Sequence, residues 1–272
     1  TMKGIASFIL ILLIMPLGHA LMIVIERYWE PYMAPSAAAI ALVGVLLVLA
    51  TRWAQQEGWQ SLLGALGGVL VWTGAVEYSF VFAARRFGVP DYPQAEGEYM
   101  LMEYSWGLLI PVILYLLFLE NVRCSPILWL RRKLKLMRGP TASGRVYNYG
   151  PHVAFEMCVV LWFCYVAMLL AYDIGTRSWA SYLLFVLSVG GGLYTLYQLY
   201  HKPTWGTAIR YAIPTVVIVW IAVEYLGKWG VFTEPWIVLN PPIMLSIVLA
   251  FAFTAYLVVD NLREQRKTHH GT

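Results

Sequence analysis

The chain has 272 residues, 60% of them hydrophobic and only 12% charged, with a net charge of +4. A soluble domain sits nearer half apolar and a quarter charged, so the composition excludes an ordinary water-soluble fold; the mean hydropathy of +0.65 agrees. The Lys and Arg residues are spread over several loops, which leaves no nucleic-acid footprint, and Cys124, Cys158 and Cys164 fit neither a disulfide framework nor a CxxC metal spacing.

A helix needs roughly 20 apolar residues to cross a bilayer. Eight stretches approach this: Ile5–Ile25, Ala37–Thr51, Ser61–Ala84, Met100–Leu119, His152–Tyr172, Trp179–Tyr200, Thr207–Leu226 and Ile237–Val259. The fold class is therefore an all-α integral membrane protein of about eight transmembrane helices. The first stretch resembles a signal peptide as far as Gly18-His19-Ala20, but its apolar run continues through Ile25, which suits a full span. Gly64 to Gly68 and Gly190-Gly191-Gly192 read as close helix contacts, since backbones without side chains can approach. Pro111, Pro214 and Pro241-Pro242 should kink their helices, with Asn240 placed to use the carbonyls so freed.

Orientation follows from the bias of Lys and Arg toward cytoplasmic loops. Arg123, Arg131, Arg132, Lys133, Lys135, Arg138 and Arg145 follow the fourth stretch, and Lys3, Arg52, Lys202, Arg210, Arg263, Arg266 and Lys267 fall on the same side. Only Arg27, Arg85, Arg86, Arg177 and Lys228 face the other way. Both termini are expected in the cytoplasm, with the chain in the plasma (inner) membrane.

Two patterns recur. Val71-Trp72-Thr73-Gly74-Ala75-Val76-Glu77-Tyr78 returns as Val219-Trp220-Ile221-Ala222-Val223-Glu224-Tyr225, and Glu120-Asn121-Val122-Arg123 as Asp260-Asn261-Leu262-Arg263. The order is the same both times. This predicts two parallel four-helix halves, 1–123 and 152–263, about a pseudo-two-fold axis along the membrane normal. A basic cytoplasmic linker, 124–151, joins them, and a polar tail, 264–272, follows. Within the linker, Pro126 to Arg138 mixes apolar and basic residues as an interfacial helix does, with its cations toward anionic lipid headgroups.

An ionisable group inside a span is costly and marks a functional site unless it is paired. Glu77 and Glu224 carry that cost at one depth, each followed by a phenol, Tyr78 and Tyr225. His19 and Glu103 fall at similar depth on the extracytoplasmic side. Imidazole and carboxylates converging in a helical bundle can hold a metal, so His19, Glu77 and Glu103 form a candidate metal set; the same groups can exchange a proton or hydrogen-bond a quinone. A weaker constellation, His152 and Glu156, lies one turn apart where the fifth stretch begins. A haem held by two histidines would need paired mid-span imidazoles, and retinal a lysine within the seventh stretch; the sequence has neither.

Three functions fit these residues. The first is a subunit of a membrane redox or metal-dependent complex, with its site around His19, Glu77, Glu103 and Glu224. The second is a proton-coupled transporter using Glu77 and Glu224. The third is a scaffold without chemistry, meeting other membrane subunits through its aromatic surface.

Overall fold

The computed structural model describes residues 1–90, 97–119, 122, 124–136 and 148–270. Among these, 85% are helical and no strand occurs. Seven helices are long and apolar enough to cross a membrane. They are α1 (Met2–Tyr28); α2 (Met33–Ala50), flanked by 3₁₀ turns; α3 (Glu57–Val71), running through a π-helical turn, Trp72–Glu77, into α4 (Tyr78–Phe87); α8 (Gly150–Ile174); α9 (Trp179–Tyr200); α10 (Trp205–Lys228); and α11 (Pro241–His270).

The expected fourth span is split into α5 (Gly97–Tyr104) and α6 (Trp106–Phe118), which meet at Ser105. The Ser105 amide bonds the Met102 carbonyl three residues back, at 3.2 Å, which tightens the turn. Its hydroxyl donates to the same carbonyl and accepts from the Trp162 indole at 2.6 Å, tying the break to α8. Pro111, lacking an N–H, weakens the helix again one and a half turns later.

The remaining departures lie at helix ends. The linker helix α7 (Ser125–Lys133) stops short of Arg138, because Lys135 adopts a left-handed φ of 55°. The last span starts at Pro241 rather than Ile237. A proline pair suits a first helical turn, and the Asn240 side chain caps it by accepting from the Ile243 amide at 3.3 Å. The prolines therefore open α11 rather than kink it. Residues 120, 121 and 123 of the recurring acidic pattern, and linker residues 137–147, lie outside the described residues.

Burial separates centre from periphery. Two thirds (67%) of the apolar window of α10 and 61% of that of α8 are buried, against 17% for α2 and α9 and 11% for α11. In a bilayer apolar area alone does not drive helices together, so close van der Waals packing must. α3 achieves it with glycines on two faces: Gly64 and Gly68 meet Gly150 and Ala154 of α8, and Gly67 meets Gly44 of α2. The second glycine run behaves differently, since Gly192 touches Val219 but Gly190 faces open space.

Neighbour relations follow a regular scheme. α2 packs on α3 as α9 packs on α10. α3 packs on α8 as α10 packs on α1, α3 crosses α10, and α11 lies on α1 while α5 and α6 lie on α8.

Candidate functional site

The site lies in the C-terminal parts of α1, α8 and α10 and in the π turn after α3. α10 presents Trp220 and Glu224 one turn apart, and the Trp220 indole donates to Glu224 Oε1 at 2.7 Å. α1 brings His19 to the same oxygen, with Nε2 at 3.8 Å. Both side chains are largely sheltered, at 20% exposure for His19 and 13% for Glu224. α8 adds Tyr165, whose hydroxyl lies 3.4 Å from His19 Nε2. That phenol also lies within electrostatic reach of Glu77, Tyr99 and Glu224.

Flat stacking holds the donors in place twice over. Trp220 stacks on His19 with ring centroids 6.2 Å apart and planes at 14°. Trp72 stacks on Tyr165 at 6.0 Å and 19°. His19 and Tyr165 thus occupy matching positions, each covered by the tryptophan that precedes a glutamate.

The two copies differ by one residue. Five positions separate Trp72 from Glu77, whereas four separate Trp220 from Glu224. An ordinary helix would turn Glu77 about 100° away from the place its counterpart occupies. The π turn spans Trp72–Glu77 and, with its i to i+5 repeat, absorbs the extra residue. Such turns are characteristic of functional positions in helices.

Outside the spans, the loop after α10 folds back over the cluster. Trp236 is buried and packs on Trp220 at 5.0 Å, and its indole donates to Glu234 Oε2 at 3.0 Å. Burial, together with the nearby Glu224 charge, pushes the Glu234 carboxyl above the usual carboxylate range; the Trp236 hydrogen bond, Lys228 and His19 oppose the shift. A cavity of about 20 Å³ lies beside Tyr165 and Glu224, walled by Met15, Cys164, Met168 and Ile221. That is room for about one water molecule, far below the several hundred Å³ of a small-molecule pocket.

The remaining expected site residues sit elsewhere. Glu103 lies within electrostatic reach of Asp173, at the C-terminal end of α8. Tyr78 packs beside Ile25, Met33 and Val81, and Tyr225 is fully buried edge-on against Tyr172 at 5.1 Å. Among the described residues, no group of three or more His, Cys, Asp and Glu is placed to hold a metal ion. The expected metal set of His19, Glu77 and Glu103 is therefore not brought together. Tyr165, Trp72, Trp220 and Glu234 are the members that sequence reasoning passed over. Tyr165 follows His19 by 146 residues, one short of the Glu77-to-Glu224 interval, and that near-match was the available signal.

At the opposite end of the bundle, Glu156 is buried on α8 within reach of the Arg210 charge. Arg210 is itself held by Glu57 at 2.5 Å and by Ser61 Oγ at 3.1 Å, and lies 4.4 Å over the Tyr149 ring. No ion pair joins His152 to Glu156 among the described residues, and this cluster reads as a packed charge network between α3, α8 and α10. The adjacent Cys124 thiol is pushed up to about 12 by burial and by Glu156, against a backbone hydrogen bond at Ile127.

The described residues together define an all-helical fold with seven candidate membrane-spanning helices and a His-Tyr-Glu cluster lined by tryptophan, with Glu77 within electrostatic reach of its phenol. No family model, curated protein or solved structure matches the chain.

Proposed function

We propose that the chain is a proton-coupled membrane transporter whose proton site is Glu77, Tyr165, His19 and Glu224. The observation that carries this reading is the paired arrangement of Trp72 on Tyr165 and Trp220 on His19, with the two aromatic partners in contact, Glu224 beside His19 and Glu77 within electrostatic reach of Tyr165. A neutral imidazole accepts from the phenol through Nε2, whereas a protonated one donates toward Glu224. One proton can therefore shift between carboxylate, imidazole and phenol with little movement, across the 3.8 Å that separates His19 Nε2 from Glu224 Oε1. Glu234, on the covering loop, is the exchange point with the adjoining aqueous side.

The finer architecture belongs to the same proposal. α5 and α6 together make an eighth crossing, and residues 1–123 and 152–263 are parallel repeats. Exchanging α1, α2, α3 and α5–α6 for α8, α9, α10 and α11 leaves most of the neighbour scheme unchanged, which supports this. Both termini are then cytoplasmic, Glu77 and Glu224 face the extracytoplasmic side of the plasma membrane, and the basic face of α7 meets anionic lipid.

Proton uptake into proteoliposomes under an applied potential tests the function. The wild-type chain should acidify the lumen, and a double Glu77→Gln, Glu224→Gln variant should fall to the rate of empty liposomes. Equal rates in both proteins would rule the reading out.

A second reading rests on the uncovered row Leu245, Leu249, Phe253 and Tyr256 along α11. There the chain is one subunit of a membrane redox complex, and the same cluster handles protons that accompany electron transfer in a partner. Co-purification of a partner carrying a redox centre decides for it; proton movement by the isolated chain decides against.

A further inference from the structure

A groove of about 980 Å³ opens between α7, α9 and α10 at the end of the bundle away from the Glu-His-Tyr cluster. Its rim carries three cations, Arg132, Lys133 and Lys202, and among the described residues no Asp or Glu lines it. Lys202 sits 4.0 Å over the Tyr211 ring. Burial and the nearby Arg132 charge hold its ammonium below the usual lysine range, so like charges are gathered there without a carboxylate to balance them. Below the rim the polar side chains that line the groove are turned onto the helix itself, Gln198 donating to the Tyr194 hydroxyl at 3.5 Å and Thr195 to the Gly191 carbonyl at 2.8 Å, beside Pro214, Ile218 and Gly191. A Cβ at Gly191 would meet nothing nearer than the Ile218 Cγ2, at 3.6 Å, so this glycine leaves a channel here rather than a tight helix contact.

Depth identifies the occupant. From Lys202 to Gly191 the groove runs about 16 Å along α9 at the helical rise, close to half of a hydrocarbon core about 30 Å thick. A free anion would use only the rim, whereas a lipid uses rim and channel together.

We propose that this groove binds one acidic phospholipid, its headgroup between Arg132, Lys133 and Lys202 and an acyl chain along Gly191 and Ile218. The inference rests on the reading that α7 lies at a membrane surface, and it adds a discrete site to that reading. The test is native mass spectrometry of the intact chain, stripped of lipid in neutral detergent and titrated with phosphatidylglycerol or phosphatidylcholine. One equivalent of phosphatidylglycerol should bind in preference to phosphatidylcholine. The double variant Arg132→Gln, Lys202→Gln should weaken it about 25-fold, roughly fivefold for each cation. Gly191→Leu, which fills the channel without touching a charge, should weaken it about tenfold or more. Ile218→Trp should act likewise if Gly191→Leu does not fold, and Arg86→Gln at the far end should change nothing. Binding that falls with the charge variant but not with either channel variant would overturn the site while leaving α7 a surface helix. Equal retention of the two lipids would remove both readings, and displacement by millimolar inorganic phosphate would assign the rim to a free anion and overturn the lipid.

Discussion

Gly68→Ala is a one-methyl change that should loosen the bundle where the site is assembled. An ideal Cβ at Gly68 lies 2.8 Å from both Cα and O of Ala154 and 3.0 Å from Met157 Cβ. Carbon atoms prefer about 3.5–4.0 Å, and the main obstacle is backbone, so α3 and α8 must part by roughly 1 Å. Overpacking costs about 1–3 kcal/mol, and a clash with backbone rather than a flexible side chain falls in the upper part of that range, about 2–3 kcal/mol. Replacing a mid-helix glycine by alanine returns up to about 1 kcal/mol of helix propensity, leaving a net loss of about 1–2 kcal/mol. For a chain of this size that lowers Tm by about 3–6 °C, read as detergent-solubilised protein surviving a thermal ramp. Gly190→Ala is the matched control. Nothing lies within 4 Å of its Cβ, so only the propensity gain remains and Tm should hold or rise. Because α3 leads into the π turn and α8 carries Tyr165, Gly68→Ala should also weaken the Trp72–Tyr165 stack and slow proton uptake. Equal stability of Gly68→Ala and wild type, or an equal loss in Gly190→Ala, would refute this packing account.

Three further outcomes follow from named groups. Tyr165→Phe keeps the ring on Trp72 and removes only the hydroxyl; proton uptake should drop about tenfold or more, while stability changes by no more than about 1 kcal/mol, as measured by uptake and melting in parallel. Glu234 binds its proton more tightly folded than unfolded, so its contribution is fully present below the ordinary carboxylate value of 4.5 and is lost as pH rises through the raised folded value. Tm should therefore decline as pH climbs above that ordinary value, and Glu234→Gln should flatten the decline; an unchanged slope counts against the burial of this carboxyl. Cys124, with its thiol near 12, should resist alkylation at pH 8 by about a thousandfold relative to an ordinary cysteine, until detergent unfolds the chain.

Level along the helix bundle was partly legible in the sequence, since His19 and Glu224 do meet, and direction around each helix was not. Apolar length placed the spans, and an acidic residue within two of them placed Glu77 and Glu224 at one level with His19. Glu103 was expected at that level too, but it lies within electrostatic reach of Asp173 on another helix, which no count of residues along one helix reveals. The phenols beside the glutamates, Tyr78 and Tyr225, turn into packing contacts because adjacent helix residues point about 100° apart. The phenol that joins His19 comes from another helix, Tyr165. The two tryptophans carry no ionisable group to mark them, yet they stack on the central pair. The one-residue difference between the two copies was present in the sequence, but its meaning needed the π turn. Ser105 was equally opaque, since its effect depends on the Trp162 indole reaching it from α8.

Infrared difference spectroscopy of the membrane-reconstituted chain, recorded as pH is stepped, tests the proton site most directly. The wild-type spectrum should contain protonated-carboxyl bands that shift in heavy water; Glu77→Gln and Glu224→Gln should each remove one component, and the double variant both. Bands unchanged in the double variant would show that these two carboxylates exchange no protons, and the central claim would fail.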